Sequence, residues 1–319
     1  IVMNELYPLK IKPIFKDNIW GGSKLNSVMG MDFSPLSNCG EAWVLSGVKG
    51  NESIVENGYL AGNNLNELVE VYMYDLLGEK IFNTYGNEFP ILVKIIDAND
   101  WLSIQVHPDD ELAKRRKIVS GKTEMWYILE SDANAQIITG LNRKMDKSTY
   151  MHHLNNKSLR EIMNYETATR GDVFFMPAGR VHALGPGIFL AEIQQTSDTT
   201  YRIYDWDRVD AEGKSREMHT ELALDAIDFN VYDDYKSIPA IKEGQTTNLV
   251  SCPYFTTNMI RLSEHSLEKQ IDAIDSFIIY LCIKGNVEVI YPIGKENFKA
   301  GEAALIPAIM EDIIINPVG

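Results

Sequence analysis

The residues best suited to chemistry lie in WLSIQVHPDDELAKRRKIVSGKTEMWYIL, residues 101–129. Gln105 and His107 sit two apart in an alternating run. On a strand their side chains point the same way, about 7 Å apart. Glu124 opens a second strand-like run. An imidazole, an amide and a carboxylate facing inward from neighbouring strands make an incomplete metal site. It needs a further nitrogen, and His182, in Val181-His182-Ala183, is the best candidate. Two histidines and a carboxylate, with the Gln105 amide oxygen, suit zinc, and also iron(II) or manganese, with a position left for water or substrate. Such a site polarises a carbonyl or hydroxyl as a Lewis acid. Alone, His182 would read as a satisfied core histidine; the other three ligands change that reading.

Three cations fall inside apolar or site-adjacent strands: Lys94, Lys122 and Arg202. Converging on one cavity, they would bind a phosphate or stabilise a developing oxyanion. Taken singly, each is better read as a surface or ion-paired cation, and Arg202 has Asp198, Asp205 and Asp207 nearby. The net charge of the 319-residue chain is −15, and its pI is near 4.9. That argues against nucleic acid and anionic membrane as partners and requires a local basic pocket for any anionic substrate. Cys39, Cys252 and Cys282 form no CxxC pair, which fits free thiols in a reducing compartment. No signal peptide or membrane-spanning run is legible, so the expectation is a cytoplasmic protein. Met3 reads as the native start, with Ile1 and Val2 added ahead of it.

The elements that must position these groups are mostly strands. Residues 89–96, FPILVKII, read as a buried strand interrupted by Lys94, which either snorkels or points into a pocket. Residues 188–207 form a strand region in which Glu192, Gln194, Thr196 and Asp198 share one parity, as does Arg202 with Thr200 and Tyr204. So many polar groups on one face imply a wet cavity. Helices are expected only at 64–82, with an Asn cap and Gly78 near the end, at 145–167 in two pieces, and at 217–228. In the second, Ser158 and Glu161 read as a capping box. His152 and His153 read as surface residues.

A linker is placed at 237–248, and the chain divides into a catalytic part, 1–240, with a helical insert near 145–167, and a smaller part, 241–319. A faint repeat relates them: GEAALIPAIMEDII, residues 301–314, matches GDVFFMPAGRVHAL, residues 171–184. Asp312 falls opposite His182. FIIYLCIKGNVEVIY, residues 277–291, resembles the strand starting at Met125, with the counterpart of Glu124 near Asp275 or Ser276. The second copy keeps the barrel pattern and lacks the ligands, so no catalytic metal is expected there, and its apolar strands are expected to cover one side of the catalytic barrel. This is the pattern of a bicupin: mainly β, two jelly-roll barrels and a small helical insert.

LSIQVHP, KTEMWYIL, GDVFFMPAGRVHALG and EIQQTSDTTYRIYDWDR resemble the signature blocks of the type I phosphomannose isomerases, in their short bacterial form. IWGG, GEAW and FPILVKIIDA resemble the family's earlier blocks. The resemblance runs from about Tyr7 to Asp210. It implies one zinc per chain, held by Gln105, His107, Glu124 and His182, the same four residues reached above. It further implies an essential arginine at Arg202, phosphate-side residues at Ser103 and Lys122, and proton transfer by Glu192. The large helical domain of the eukaryotic forms is missing.

The implied reaction interconverts mannose 6-phosphate and fructose 6-phosphate through an enediol. Glu192 is the first choice of base, with Lys94 or a metal-bound water as alternatives. The expected partner is a small sugar phosphate, and the expected assembly a monomer or homodimer. Two other readings use the same residues: a cupin oxygenase with iron at the four ligands, and a non-catalytic sugar-phosphate-binding cupin. Metal content with oxygen uptake separates the first from an isomerase, and turnover the second.

Overall fold

The structure is a computed structural model that describes residues 5–209 and 212–318; Met3 lies outside the described residues. Its largest sheet has seven strands, ordered Lys236–Ser237, Val173–Met176, Glu124–Ser131, Ile188–Gln195, Ile91–Ala98, Glu41–Leu45, Ile14–Lys16. A five-stranded sheet is ordered Tyr201–Tyr204, Ile104–Val106, His182–Leu184, Gln136–Leu141, Met163–Thr167. One apolar cluster joins the two: Ile96, Trp126, Ile128, Phe174 and Leu190 from the first, Ile137 and Leu184 from the second. They are the two walls of one barrel.

Strand alternation explains why the central strands read as almost wholly apolar. In Ile91–Ala98, Ile96 and Ala98 face the barrel interior. Ile91, Val93 and Ile95 face a second core formed with the helix Leu65–Leu77 and the strand Leu9–Lys12. Both faces are covered, so no polar stripe survives. Lys94 shares the inner parity of Ile96, and Glu192 shares that of Leu190. The barrel interior is therefore apolar toward one end of these strands and polar toward the other.

Two further four-stranded sheets follow the same plan. One is ordered Ile278–Leu281, Ala303–Ile306, Leu9–Lys12, Ile54–Val55, and the other Leu267–Gln270, Asp312–Pro317, Asn286–Tyr291, Gly294–Lys299. Ile271, Val289, Phe298, Ile306, Met310 and Ile313 fill the space they enclose. The repeat is visible in the backbone. Gly171 and Gly301 both take positive φ, 94° and 89°, and each precedes a strand of the repeated unit. The molecule is mainly β, a bicupin of two jelly-roll barrels. Its first strand lies in the same sheet as strands beyond residue 240.

The helices depart from expectation in three places. Leu65–Leu77 has the predicted Asn64 cap, with Glu67 completing a capping box, and a second helix, Glu79–Tyr85, follows Gly78. The 145–167 segment is helical only over Lys147–Asn155 and in a 3-10 turn at Leu159–Ile162. Met163–Thr167 is instead an edge strand pairing with Gln136–Leu141, because sheet pairing satisfies its backbone where a two-turn helix would not. Ser158 makes no cap; its hydroxyl meets His153 Nδ1 at 2.8 Å. Two short helices were not expected, Lys24–Ser27 and Asp110–Arg115. The second starts at Asp109, whose carboxylate accepts from Leu112 N at 2.8 Å. Neither is long enough to show a helical period. Thr220–Leu224 falls inside the expected 217–228.

Candidate active site

Two rows of side chains face each other across the polar end of the first barrel. In the seven-stranded sheet, Trp43 lies opposite Lys94, Lys94 opposite Glu192, and Glu192 opposite Trp126. In the five-stranded sheet, Arg202 lies opposite Gln105, and Gln105 opposite His182. Directly opposed residues project to the same face, so register alone assembles both rows. Between them lies a cavity of about 180 Å³ lined by Lys94, Ser103, Gln105, Lys122, His182, Glu192 and Arg202, among others.

His107, Glu124 and His182 bring one ligand atom each to within 4.8 Å of one another, all buried. Glu124 Oε1 is 3.2 Å from His182 Nε2 and Glu124 Oε2 is 3.5 Å from His107 Nε2. Gln105 Nε2 lies 3.3 Å from His182 Nε2. These spacings match the roughly 3.3 Å edge of a tetrahedron of donors about 2 Å from a central ion. Each histidine holds a backbone carbonyl through Nδ1, His107 that of Thr199 and His182 that of Arg180, both at 2.9 Å. That fixes the proton on Nδ1 and leaves each Nε2 lone pair for an ion.

Burial keeps both rings neutral, with Lys122 adding a like charge. His182 is pushed down to about 4 and His107 well below its ordinary value. Both carboxylate oxygens of Glu124 are buried without a hydrogen-bond partner among the described residues. The Lys122 ammonium, 3.1 Å from Oε2, offsets part of that cost, and Oε1, which faces the neutral His182 ring, still lacks a cation unless one sits between the ligands. The donor set therefore fits a divalent metal. Gln105 presents its amide nitrogen to His182, and Oε1 accepts from Ser103 Oγ at 3.2 Å. Exchanging amide nitrogen and oxygen would turn the oxygen to the ion.

Lys94 points into the cavity and does not snorkel. Its ammonium is 3.3 Å from both Glu41 and Glu192 and stands over the Trp43 ring. Burial would discharge it, but the two glutamates prevail and raise its pKa. Glu192 accepts from Trp126 Nε1 at 2.7 Å. Burial first, and the charge of Glu124 second, raise the Glu192 pKa. Lys122 Nζ lies 3.2 Å from His107 Nε2 and 3.1 Å from Glu124 Oε2, so its charge stands at the ligand cluster.

Arg202 donates to Glu217 O at 2.8 Å. Among the described residues no carboxylate lies within ion-pair distance of it. Of its suspected partners, Asp205 is held by Arg208 and Arg216, and Asp207 accepts from Tyr204. The long polar parity is interrupted. The strand ends at Gln195, and the Gln194 amide turns to the carbonyls of Gln195 and Ser197. Thr196 Oγ1 donates to Phe89 O, while Asp198 and Thr200 return to the cavity. A bulge after Arg202 takes Tyr204 away, against Trp206. His152 and His153 lie outside the cavity, as expected.

Sequence reasoning missed Glu41, Trp126 and Arg216, which also line the cavity. For Glu41 and Trp126 the signal was present, since each begins or neighbours a strand whose inner parity holds a site residue. Arg216 lies on an irregular loop with no period to reveal it.

A model of the type I phosphomannose isomerase catalytic domain matches residues 8–158. The chain is 37% identical over 311 residues to the mannose-6-phosphate isomerase ManA of Bacillus subtilis, covering 94% of this chain and 93% of that protein. It is 35% identical over 305 residues to the mannose-6-phosphate isomerase of Streptococcus mutans, covering 94% and 92%. A crystal structure of the Bacillus subtilis mannose 6-phosphate isomerase superposes with a TM-score of 0.88 at 32% identity, covering 98% of this chain and 97% of that one.

Proposed function

The chain belongs to the type I phosphomannose isomerase family, and from that premise we propose how its cavity interconverts mannose 6-phosphate and fructose 6-phosphate. It is a metal-dependent aldose–ketose isomerase. The observation that carries the reading of the site is the pair of facing rows, with three metal-binding side chains at one end and a buried carboxylate–lysine pair beside them.

The ion is zinc, one per chain, held by Gln105, His107, Glu124 and His182. When bound, it supplies Lewis-acid polarisation of the sugar oxygens at the reacting carbons. Glu192 removes the proton from one of the two adjacent carbons and returns it to the other, while the hydroxyl proton passes between the two oxygens those carbons carry. Its raised pKa brings a carboxylate nearer to the working pH, which favours transfer in both directions. Trp126 fixes its orientation. Lys94, kept charged by two glutamates, is poorly suited to act as a base and serves as a fixed cation facing the developing enediolate. Arg202 adds a second cation from the opposite wall. The resemblance gives Lys122 and Ser103 to the phosphate side; Lys122 stands at the ligand cluster and Ser103 at the Gln105 amide, positions that face the carbonyl end of the sugar.

The three unpaired cysteines support a reducing compartment, the cytoplasm. No helix among the described residues is long and apolar enough to cross a membrane. We divide the chain into a catalytic part, 1–240, and a smaller part, 241–319. A coupled assay of mannose 6-phosphate turnover tests the reading. Activity is expected to vanish with a chelator and return with zinc. Glu192→Gln is expected to keep its metal and lose about 10²- to 10⁴-fold in kcat, as for a general base. Chelator-resistant turnover, or near-normal kcat in Glu192→Gln, would overturn it.

A further inference from the structure

An acidic protein that takes a phosphorylated sugar must concentrate positive charge where the phosphate lies. The residues brought to the metal ligands do not fill that need. Lys122 touches His107 and Glu124, and the phosphate sits at the opposite end of a hexose 6-phosphate from its reacting carbons.

The other concentration of cations lies past Arg202. A second cavity, lined by Asp17, Trp20, Asp205, Arg208, Lys214 and Arg216, adjoins the first. Asn18, Trp20 and Arg216 line both. Asp205 is buried and holds two arginines at once. Arg216 Nε donates to its Oδ2 at 2.7 Å and Arg216 Nη2 to its Oδ1 at 2.5 Å, while Arg208 Nη2 donates to Oδ1 at 2.6 Å. One carboxylate thus faces two guanidinium groups, with Arg202 close enough that, after burial, the charges of Arg216 and Arg208 push its pKa down. Buried donors are left over. Arg202 Nε, Arg208 Nε and Arg208 Nη1 have no hydrogen-bond partner among the described residues, although Arg208 Nη1 is 3.6 Å from the Asp100 carboxylate. Crowded like charges with unused donors call for a polyvalent anion.

We propose that Arg216, held by Asp205, recognises the 6-phosphate of the substrate at the junction of the two cavities. Asp205 is a positioning residue. Its two hydrogen bonds to Arg216 fix the guanidinium plane and leave Nη1 for a phosphate oxygen, while Arg208 adds charge from behind. Arg216 thereby sets the preference for phosphorylated over free sugar. The role rests on the isomerase reading, yet phosphate binding can be measured without turnover.

The test uses inorganic phosphate as probe, by calorimetry on the metal-loaded protein and as a competitive inhibitor of mannose 6-phosphate turnover. Arg216→Gln is expected to weaken phosphate binding and to raise KM on the order of 10- to 100-fold, as for loss of a charge-assisted hydrogen bond, with kcat changed much less. Arg216→Lys keeps the charge and is expected to recover part of the loss. Asp205→Asn is expected to fall between wild type and Arg216→Gln. Unchanged phosphate affinity in a folded, metal-loaded Arg216→Gln, or a fall in kcat with KM unmoved, would overturn the assignment. Absent turnover in the wild type would instead count against the isomerase reading, with the phosphate affinities still deciding the role of Arg216.

Discussion

The two barrels are built from one strand–turn–strand unit, yet their interiors have opposite character. In the first, Val173–Met176 pairs with Glu124–Ser131 so that Met176 lies opposite Glu124. In the second, Ala303–Ile306 pairs with Ile278–Leu281 so that Ile306 lies opposite Ile278. The structural counterpart of Glu124 is therefore Ile278, not Asp275 or Ser276. Asp275 lies outside the barrel, where its carboxylate accepts from the backbone nitrogens of Glu79 and Lys80. His182 lies opposite Gln105 in the first barrel, and Asp312 opposite Gln270 in the second. His182 is buried, while Asp312 and Gln270 are exposed.

The difference shows how little of a cupin's stability needs the site. Replacing an inward carboxylate by isoleucine converts a costly desolvated anion into ordinary core packing. The second barrel closes on Ile271, Val289, Phe298 and Met310. The first keeps buried charges that are tolerable only in mutual company, Lys94 with Glu41 and Glu192, and Lys122 with Glu124.

That contrast can be broken from either side. On the five-stranded wall the largest effect is expected at Arg202, whose row has no functional equivalent in the second barrel. Arg202→Ala should lower kcat and kcat/KM together by about 10²- to 10³-fold, as for removal of one oxyanion donor, with KM little changed. Arg202→Lys should stay impaired, since it keeps the charge but loses the planar fork. Steady-state kinetics beside melting temperatures decide it; wild-type kinetics in a destabilised Arg202→Ala would make the residue structural.

The smallest effect is expected at Asp275. Removing it takes away the anion at the start of the Glu79–Tyr85 helix and a link between the second barrel and the helices. Asp275→Ala should cost about 1 kcal/mol in denaturant unfolding, in the range of a lost helix cap, and leave kcat and metal content unchanged. A loss of turnover in the folded protein would mean that the second barrel shapes the cavity.

Much of this contrast was legible in the sequence, and the reasons are specific. Gln105 and His107 announce themselves by two-residue spacing in an alternating strand, and the matched glycines, prolines and strands of 171–184 and 301–314 expose the repeat. Both signals are local. What was hidden depends on pairing between distant strands. The true counterpart of Glu124 needs the register of Ile278 against Ile306, and the Lys94–Glu192 contact needs the register of two strands nearly a hundred residues apart. The parity argument failed at Gln194, Thr196 and Tyr204, around the turn that follows Gln195 and the bulge after Arg202, while Asp198, Thr200 and Arg202 do line the cavity. Met163–Thr167 read as helix because an edge strand on a half-buried sheet carries no strong period. The arginine cluster around Asp205 gave no signal, since its members lie on irregular backbone.

The central claim is that one barrel holds a metal through His107, Glu124 and His182 and the other, apolar inside, holds none. Elemental analysis of the purified protein beside His107→Ala and His182→Ala, with circular dichroism on each, tests it most directly. The account predicts one zinc per wild-type chain and none in either variant, with both variants folded, because strand pairing and core packing specify the barrel without the ion. Two tightly held metals per chain, or stoichiometric metal retained by either variant, would contradict it.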